Sequence, residues 1–231
     1  MRNHFLALAS LLMMHVTYAQ INEVGLFLGG SNYIGDIGPT DYISPNNVAF
    51  GAFYKWNVRS RYSYRASLSH ARIEASDLDS DIVGRRLRGL SFENTVTELS
   101  AGVEFNFFDF NLHKDRRLVT PYIFTGLSYF GYDALFFENG QAIRHASHKT
   151  FAIPIVLGVK TNISRRFILG AEVGARYTFT DALDGSNPTR DKEPFDELKF
   201  GNINTDDWYV FAGITLSYTF TQKPCYCAEE E

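Results

Sequence analysis

The stretch Trp208–Phe220, WYVFAGITLSYTF, constrains the fold most, because it alternates without a break for the length of a long β-strand. Trp208, Val210, Ala212, Ile214, Leu216, Tyr218 and Phe220 share one face, and Tyr209, Phe211, Gly213, Thr215, Ser217 and Thr219 share the other. The first face is apolar from end to end. The second becomes small and hydroxylated towards its C-terminal half, and aromatic residues close both ends of the apolar row. A soluble sandwich strand and a lipid-facing strand with interfacial aromatics both satisfy this pattern, so the rest of the chain must decide between them.

Of 231 residues, 45% are hydrophobic and 15% aromatic, with a formal net charge of −4 and a mean hydropathy of −0.16. So much aromatic surface and so little net charge argue against disorder. The mixed, slightly acidic balance gives no reason to expect nucleic acid as a partner. Past the first twenty residues no run reaches the roughly 18 apolar residues of a membrane helix, so any membrane crossing is made of strands.

Residues 1–19 read as a signal peptide: Arg2 and His4, the apolar run Phe5–Val16, then Thr17-Tyr18-Ala19, which ends in the small residue that cleavage requires. The mature chain is expected to start at Gln20, and the absence of cysteine at the junction disfavours a lipoprotein anchor.

Further strands are expected at Asn22–Ile37, Val48–Trp56, from Arg61 to Ser69, Phe92–Phe108, Thr120–Phe137, Phe151–Asn162 and Phe167–Phe179. Tyr62, Tyr64, Ala66 and Leu68 alternate with Arg61, Ser63, Arg65, Ser67 and Ser69; Leu99, Ala101, Val103, Phe105 and Phe107 alternate with Glu98, Ser100, Gly102, Glu104 and Asn106. Both sets of Thr120–Phe137 are apolar, so its facing stays unassigned. Pro154 predicts a bulge or a strand start. Long loops are expected at Glu74–Leu90, Glu138–Lys149 and Asp181–Asp207, with short turns near 57–60 and 162–165.

Eight strands joined alternately by long and short connections predict an all-β, transmembrane, antiparallel up-and-down β-barrel over residues 20–221. The even count places both ends of the barrel on the short-turn side, the periplasm if the membrane is the outer one. A tail, residues 222–231, follows.

A barrel of this size is filled by its own side chains, so its inward charges must pair. Arg65, Glu98, Glu104, Lys160, Glu172 and Arg176 are the predicted interior network, a plug rather than a pore. The short-turn side carries a basic set that includes Arg59, Arg61, Lys114, Arg116, Arg117, Arg165 and Arg166, either simply solvated or a rim for a partner. Cys225 and Cys227 are the only cysteines. Two residues apart, they bond to each other only with strain, and the expected compartment permits disulfides, so an intermolecular bond is one candidate. His145, Ser147 and His148, or Ser69 and His70, are the nearest approach to catalytic groups, and spacing alone supplies no triad. No cofactor motif is present.

The ending Gly213, Leu216, Tyr218 and Phe220 resembles the C-terminal insertion signal of bacterial outer-membrane barrels. The segments EVGLFLGGSNYIGDIG (23–38), ELSAGVEFNFFDF (98–110), TPYIFTGLSYFGYDAL (120–135) and IPIVLGVKTNISRRFILGAEVGARYTFTDALDG (153–185) resemble the Bacteroidota outer-membrane barrel family that includes PorG of the type IX secretion system. The resemblance implies a non-enzymatic outer-membrane component of the secretion and gliding machinery, associated with a periplasmic ring of a PorK-like lipoprotein and a PorN-like protein. A general small barrel for adhesion or envelope stability is the alternative expectation, and a lipid-modifying barrel enzyme the third.

Overall fold

The computed structural model describes residues 21–112, 116–190, 193–194, 196–202 and 204–220. Their barrel strands are β1 (Ile21–Ile34), β2 (Asn47–Asn57), β3 (Tyr62–Ser76), β4 (Ser91–Asn106), β5 (Val119–Glu138), β6 (Gln141–Asn162), β7 (Phe167–Thr178) and β8 (Trp208–Phe220), and Thr189–Arg190 pairs with Glu193–Pro194 in a separate small ladder within the β7–β8 connection. Every neighbour in sequence is a neighbour in space, all pairs are antiparallel, and β1 pairs with β8 from Asn22↔Phe220 to Ile34↔Trp208. The result is a closed eight-stranded up-and-down barrel. Closure removes the unpaired edges that an open sheet would present.

The alternation seen in the sequence becomes the two faces of the wall. Leu26, Leu28, Leu68, Leu99, Leu127, Leu157 and Ile214 stand outward with half or more of their surface exposed. So wide an apolar belt is stable only against lipid. Aromatic pairs border it. Trp56–Tyr64, Tyr62–Phe105 and Phe167–Tyr218 lie near the short-turn end, and Tyr129–Phe151 and Tyr177–Trp208 near the other. Val210 keeps its outward register but is buried. Its cross-strand neighbour Asn32 lies under the β1–β2 connection, where its amide donates to the carbonyls of Asp41 and Tyr42 at 3.3 and 3.4 Å.

Two seams bring strand backbones unusually close. A Cβ on Gly213 would lie 2.4 Å from the Leu28 carbonyl oxygen, and one on Gly29 would lie 2.6 Å from Gly213 Cα. Gly102 and Gly126 face each other in the same way across β4 and β5. Glycine at these positions allows the close approach that tight coiling demands.

Three sequence expectations are corrected. Glu138–Lys149 is not a loop: β5 and β6 continue into a long hairpin turned by Asn139 and Gly140, with φ of 52° and 79°. Both left-handed residues suit a two-residue hairpin turn, the favoured use of Asn-Gly. Pro154 produces neither a bulge nor a start; it sits inside β6 opposite Arg176, and the register against β5 continues unchanged on either side of it. The bulge lies higher, between Ala134 and Leu135. Glu74–Leu90 is only partly loop, since β3 runs to Ser76 and a short helix, α1 (Val83–Arg88), precedes β4.

Candidate functional site: the charged lumen and the long-loop cap

Alternation places Glu23, Lys55, Arg65, Glu98, Glu104, Lys160, Glu172 and Arg176 inside the barrel, each less than 10% exposed. Four carboxylates meet four cations, so the described part of the lumen is charge-balanced. Glu104 is the hub. Lys55 Nζ lies 2.9 Å and Lys160 Nζ 2.6 Å from its two oxygens, and Arg65 Nη1 approaches to 3.7 Å. Arg65 also grips Glu172, which accepts a further bond from Tyr122 Oη at 2.5 Å. Lys55 reaches Glu23 at 3.5 Å, and Glu23 accepts from Ser217 Oγ at 2.6 Å.

A second layer lies nearer the long-loop end. Arg176 Nε donates to Glu98 Oε2 at 3.2 Å, the same oxygen accepts from Tyr209 Oη at 2.6 Å, and the guanidinium stacks 4.1 Å from the Phe211 ring centre. Desolvated ions persist only when paired and hydrogen-bonded in this way. The six residues expected from the sequence are therefore gathered in the lumen. Glu23, Lys55, Tyr122 and Tyr209 belong to the same network and were not anticipated.

Above this layer the lumen is apolar. Phe27, Phe92, Phe130, Tyr132, Tyr209 and Phe211 pack with Leu183, which the β7–β8 connection inserts into the mouth. Asn94 of β4 donates to the Leu183 carbonyl at 2.7 Å, and the Leu183 amide donates to Asp207 Oδ2 at 2.9 Å. Tyr33 Oη also donates to Asp207. Arg88 ties the loops together: it donates to both carboxylate oxygens of Asp77 at 2.7 and 2.9 Å and to the Asp36 carbonyl at 2.7 Å, with its guanidinium over Phe200. The long-loop mouth is thus closed by an interlocked cap.

The cap holds unusual acids. Burial pushes the Asp181 carboxyl up to about 7, with Asp184 and Asp36 adding repulsion. Burial likewise raises Asp184, and it raises Asp207 with Asp184 as the next cause. Asp77 goes the other way: burial opposes its charge, but Arg88 and the amides of Gly38 and Leu90 outweigh that and hold it below its ordinary value.

At the opposite end, Arg116, Arg117, Arg165 and Arg166 are all exposed, on the β4–β5 and β6–β7 connections. Asn162 joins those connections, donating to the Arg116 carbonyl at 3.0 Å and accepting from the Leu118 amide at 2.6 Å. Arg166 Nη1 donates to Tyr218 Oη at 3.1 Å. Arg59 and Arg61 lie on the β2–β3 turn at this end, Arg61 paired with Asp109 at 2.7 Å. Of the insertion-signal residues, Leu216 and Phe220 face outward and Gly213 abuts Gly29. Cys225, Cys227, Lys114 and the signal-peptide segment lie outside the described residues.

Ser69 points into the lumen and His70 outward, where its Nδ1 meets Thr97 Oγ1 at 2.9 Å, so the two cannot share a proton. Ser147 Oγ donates to the Tyr132 carbonyl at 3.4 Å, and the rings of His145 and His148 are 6.4 Å apart. Among the described residues no group of His, Cys, Asp or Glu is placed to hold a metal ion.

Solved structures with a similar course of chain are outer-membrane barrels. Ail of Yersinia pestis, solved with the heparin analogue sucrose octasulfate, is 13% identical with a TM-score of 0.49, covering 88% of this chain and 100% of its own. OprG of Pseudomonas aeruginosa is 7% identical with a TM-score of 0.45, covering 88% and 96%. Neisserial surface protein A is 9% identical with a TM-score of 0.44, covering 87% and 96%. No curated protein matches. A family model described as a domain of unknown function, DUF6089, matches residues 2–229, and the chain belongs to that family.

Proposed function

We propose that the protein is a non-enzymatic outer-membrane component of the type IX secretion and gliding machinery, which anchors a periplasmic ring of PorK-like and PorN-like subunits. The observation that carries the reading is the sealed lumen. A barrel filled by paired charges and capped by Leu183 offers only its ends to partners. The short-turn end presents Arg116, Arg117, Arg165 and Arg166, and β8 ends there at Phe220, five residues before Cys225 in the sequence. The family resemblance of the strand segments supports the same role, with both ends of the barrel periplasmic and an intermolecular disulfide as one possible link.

The test is affinity purification from solubilised outer membrane with and without reductant. A periplasmic lipoprotein that co-purifies, and is lost when the four arginines are changed to glutamate, supports the reading. Recovery of the barrel alone, with full thiol labelling of both cysteines, contradicts it. The second reading, a small barrel for adhesion or envelope stability, is favoured by the ordered outer cap; it predicts binding through that cap and no periplasmic partner.

A further inference from the structure

The β4–β5 seam stops short of both its strands. Pairing runs from Asn106↔Tyr122 only as far as Thr97↔Gly131. Beyond that point β4 continues to Ser91 along β3, and β5 continues to Glu138 along β6. Asn94 closes the bottom of the opening: its side-chain amide donates to the Asp133 carbonyl at 2.7 Å and accepts from the Asp133 amide at 3.0 Å, in place of a main-chain pair. Above it lies a cleft of about 550 Å³, bordered by Glu74, Asp79, Phe92 and Glu93 on one wall and Leu135 and Arg144 on the other.

Its electrostatics are one-sided. Glu74 and Glu93 stand directly opposite each other on β3 and β4, an arrangement of like charges that destabilises a sheet. Arg72 answers Glu93 at 3.1 Å, while Arg144 turns to Asp133 at 2.7 Å. Asp79 adds a third carboxylate at the rim. A cation entering the cleft relieves that repulsion. Two strand edges without a facing strand call for main-chain donors and acceptors as well, which a simple ion does not supply.

We propose that this opened seam is a docking site for an extended, lysine- or arginine-bearing polypeptide segment of a partner protein, which adds as a strand beside β4 and β5 and lays its cationic side chains against Glu74, Asp79 and Glu93. The site lies at the end opposite the basic rim and is independent of the anchoring role.

The experiment uses the full chain in lipid nanodiscs and a fluorescent peptide of about eight residues, alternating lysine with valine, enough to run the open edge at ~3.3 Å per residue. Controls are the same peptide with glutamate for lysine, the lysine peptide N-methylated at alternate residues, and spermidine as competitor. Saturable binding of the lysine peptide alone is expected. The Glu74→Gln/Glu93→Gln variant should bind about tenfold more weakly, ~1.4 kcal/mol, with unchanged heat-modifiable mobility. Equal binding by the glutamate peptide or by the double variant overturns the proposal. Undiminished binding of the N-methylated peptide, which cannot add as a strand, also overturns it. So does displacement by spermidine at the peptide's own affinity, since that marks a simple cation site.

Discussion

Arg65 reaches across the barrel from β3 to β7 and holds Glu172 with two parallel hydrogen bonds, Nη1 to Oε2 at 2.8 Å and Nη2 to Oε1 at 2.9 Å. The two strands lie on opposite sides of the closed wall, so this one pair spans the lumen. Such a fork is the strongest geometry an arginine and a carboxylate adopt. Removing one partner leaves the other buried without its main counter-ion. Glu172→Gln or Arg65→Met should therefore cost about 3–5 kcal/mol, and the Arg65→Met/Glu172→Met double variant less than either single change. Urea unfolding in lipid vesicles reads the difference; additive losses would show that the pair does not act as a unit.

Glu104 answers three cations at once. Neutralising it should leave Lys55, Lys160 and Arg65 repelling one another in a dry interior. Glu104→Gln is expected to destabilise by at least the ~3 kcal/mol of a broken buried pair, and Glu104→Gln with Lys160→Met should recover part of that loss. Heat-modifiable mobility against temperature measures both.

The acids of the cap set a pH dependence whose sign is fixed by their shifts. Asp181, pushed up to about 7, and the raised Asp184 and Asp207 hold their protons more tightly in the folded cap than in the free loop, where a carboxyl of this kind ionises near 3.8. Their contribution falls as pH rises from about 4 through about 7. Asp77, held low, contributes above 3.8 and loses that contribution as pH falls through its folded value. The cap should be tightest near pH 4 and loosen steadily up to about pH 7. Proteolysis within 181–207 should speed up between about pH 4 and pH 7, after correction for protease activity, and Asp181→Asn should flatten the rise.

Gly213 separates a packing role from a signalling role. A Cβ there meets the Leu28 carbonyl at 2.4 Å, so Gly213→Ala should cost about 1–3 kcal/mol of overpacking and lower the refolded yield in pure lipid vesicles, where no insertion machinery exists. Phe220→Ala, at an outward position, should refold there with near-normal yield if its role is to be recognised by that machinery. Equal yields for Gly213→Ala and the unaltered chain would contradict the close-approach argument.

Where lipid bathes the wall, the fold was legible, because lipid forces one face apolar while the lumen holds the polar one. Arg65, Glu98, Glu104, Glu172 and Arg176 were found from that alternation alone. Lys55 was not, because in Phe53-Tyr54-Lys55-Trp56 aromatic residues occupy both faces and hide the period. Glu23 fell on the inward set of β1 but stood alone among glycines, and its cation is on the next strand. The upper β5–β6 hairpin reads as a loop in the sequence for a related reason. Above the membrane its outward face need not be apolar, so the alternation vanishes, although Asn139-Gly140 marked the turn. Burial of Asp184 and Asp207 depends on how the β7–β8 connection folds back into the mouth, which no local pattern records.

A sealed barrel can act only through its ends. Single-channel recording of the purified full-length protein in planar lipid bilayers tests it most directly. A filled and capped lumen gives a current indistinguishable from the bare membrane across potential, salt and pH; steady, ion-dependent conductance steps from the unaltered protein would show an open path instead.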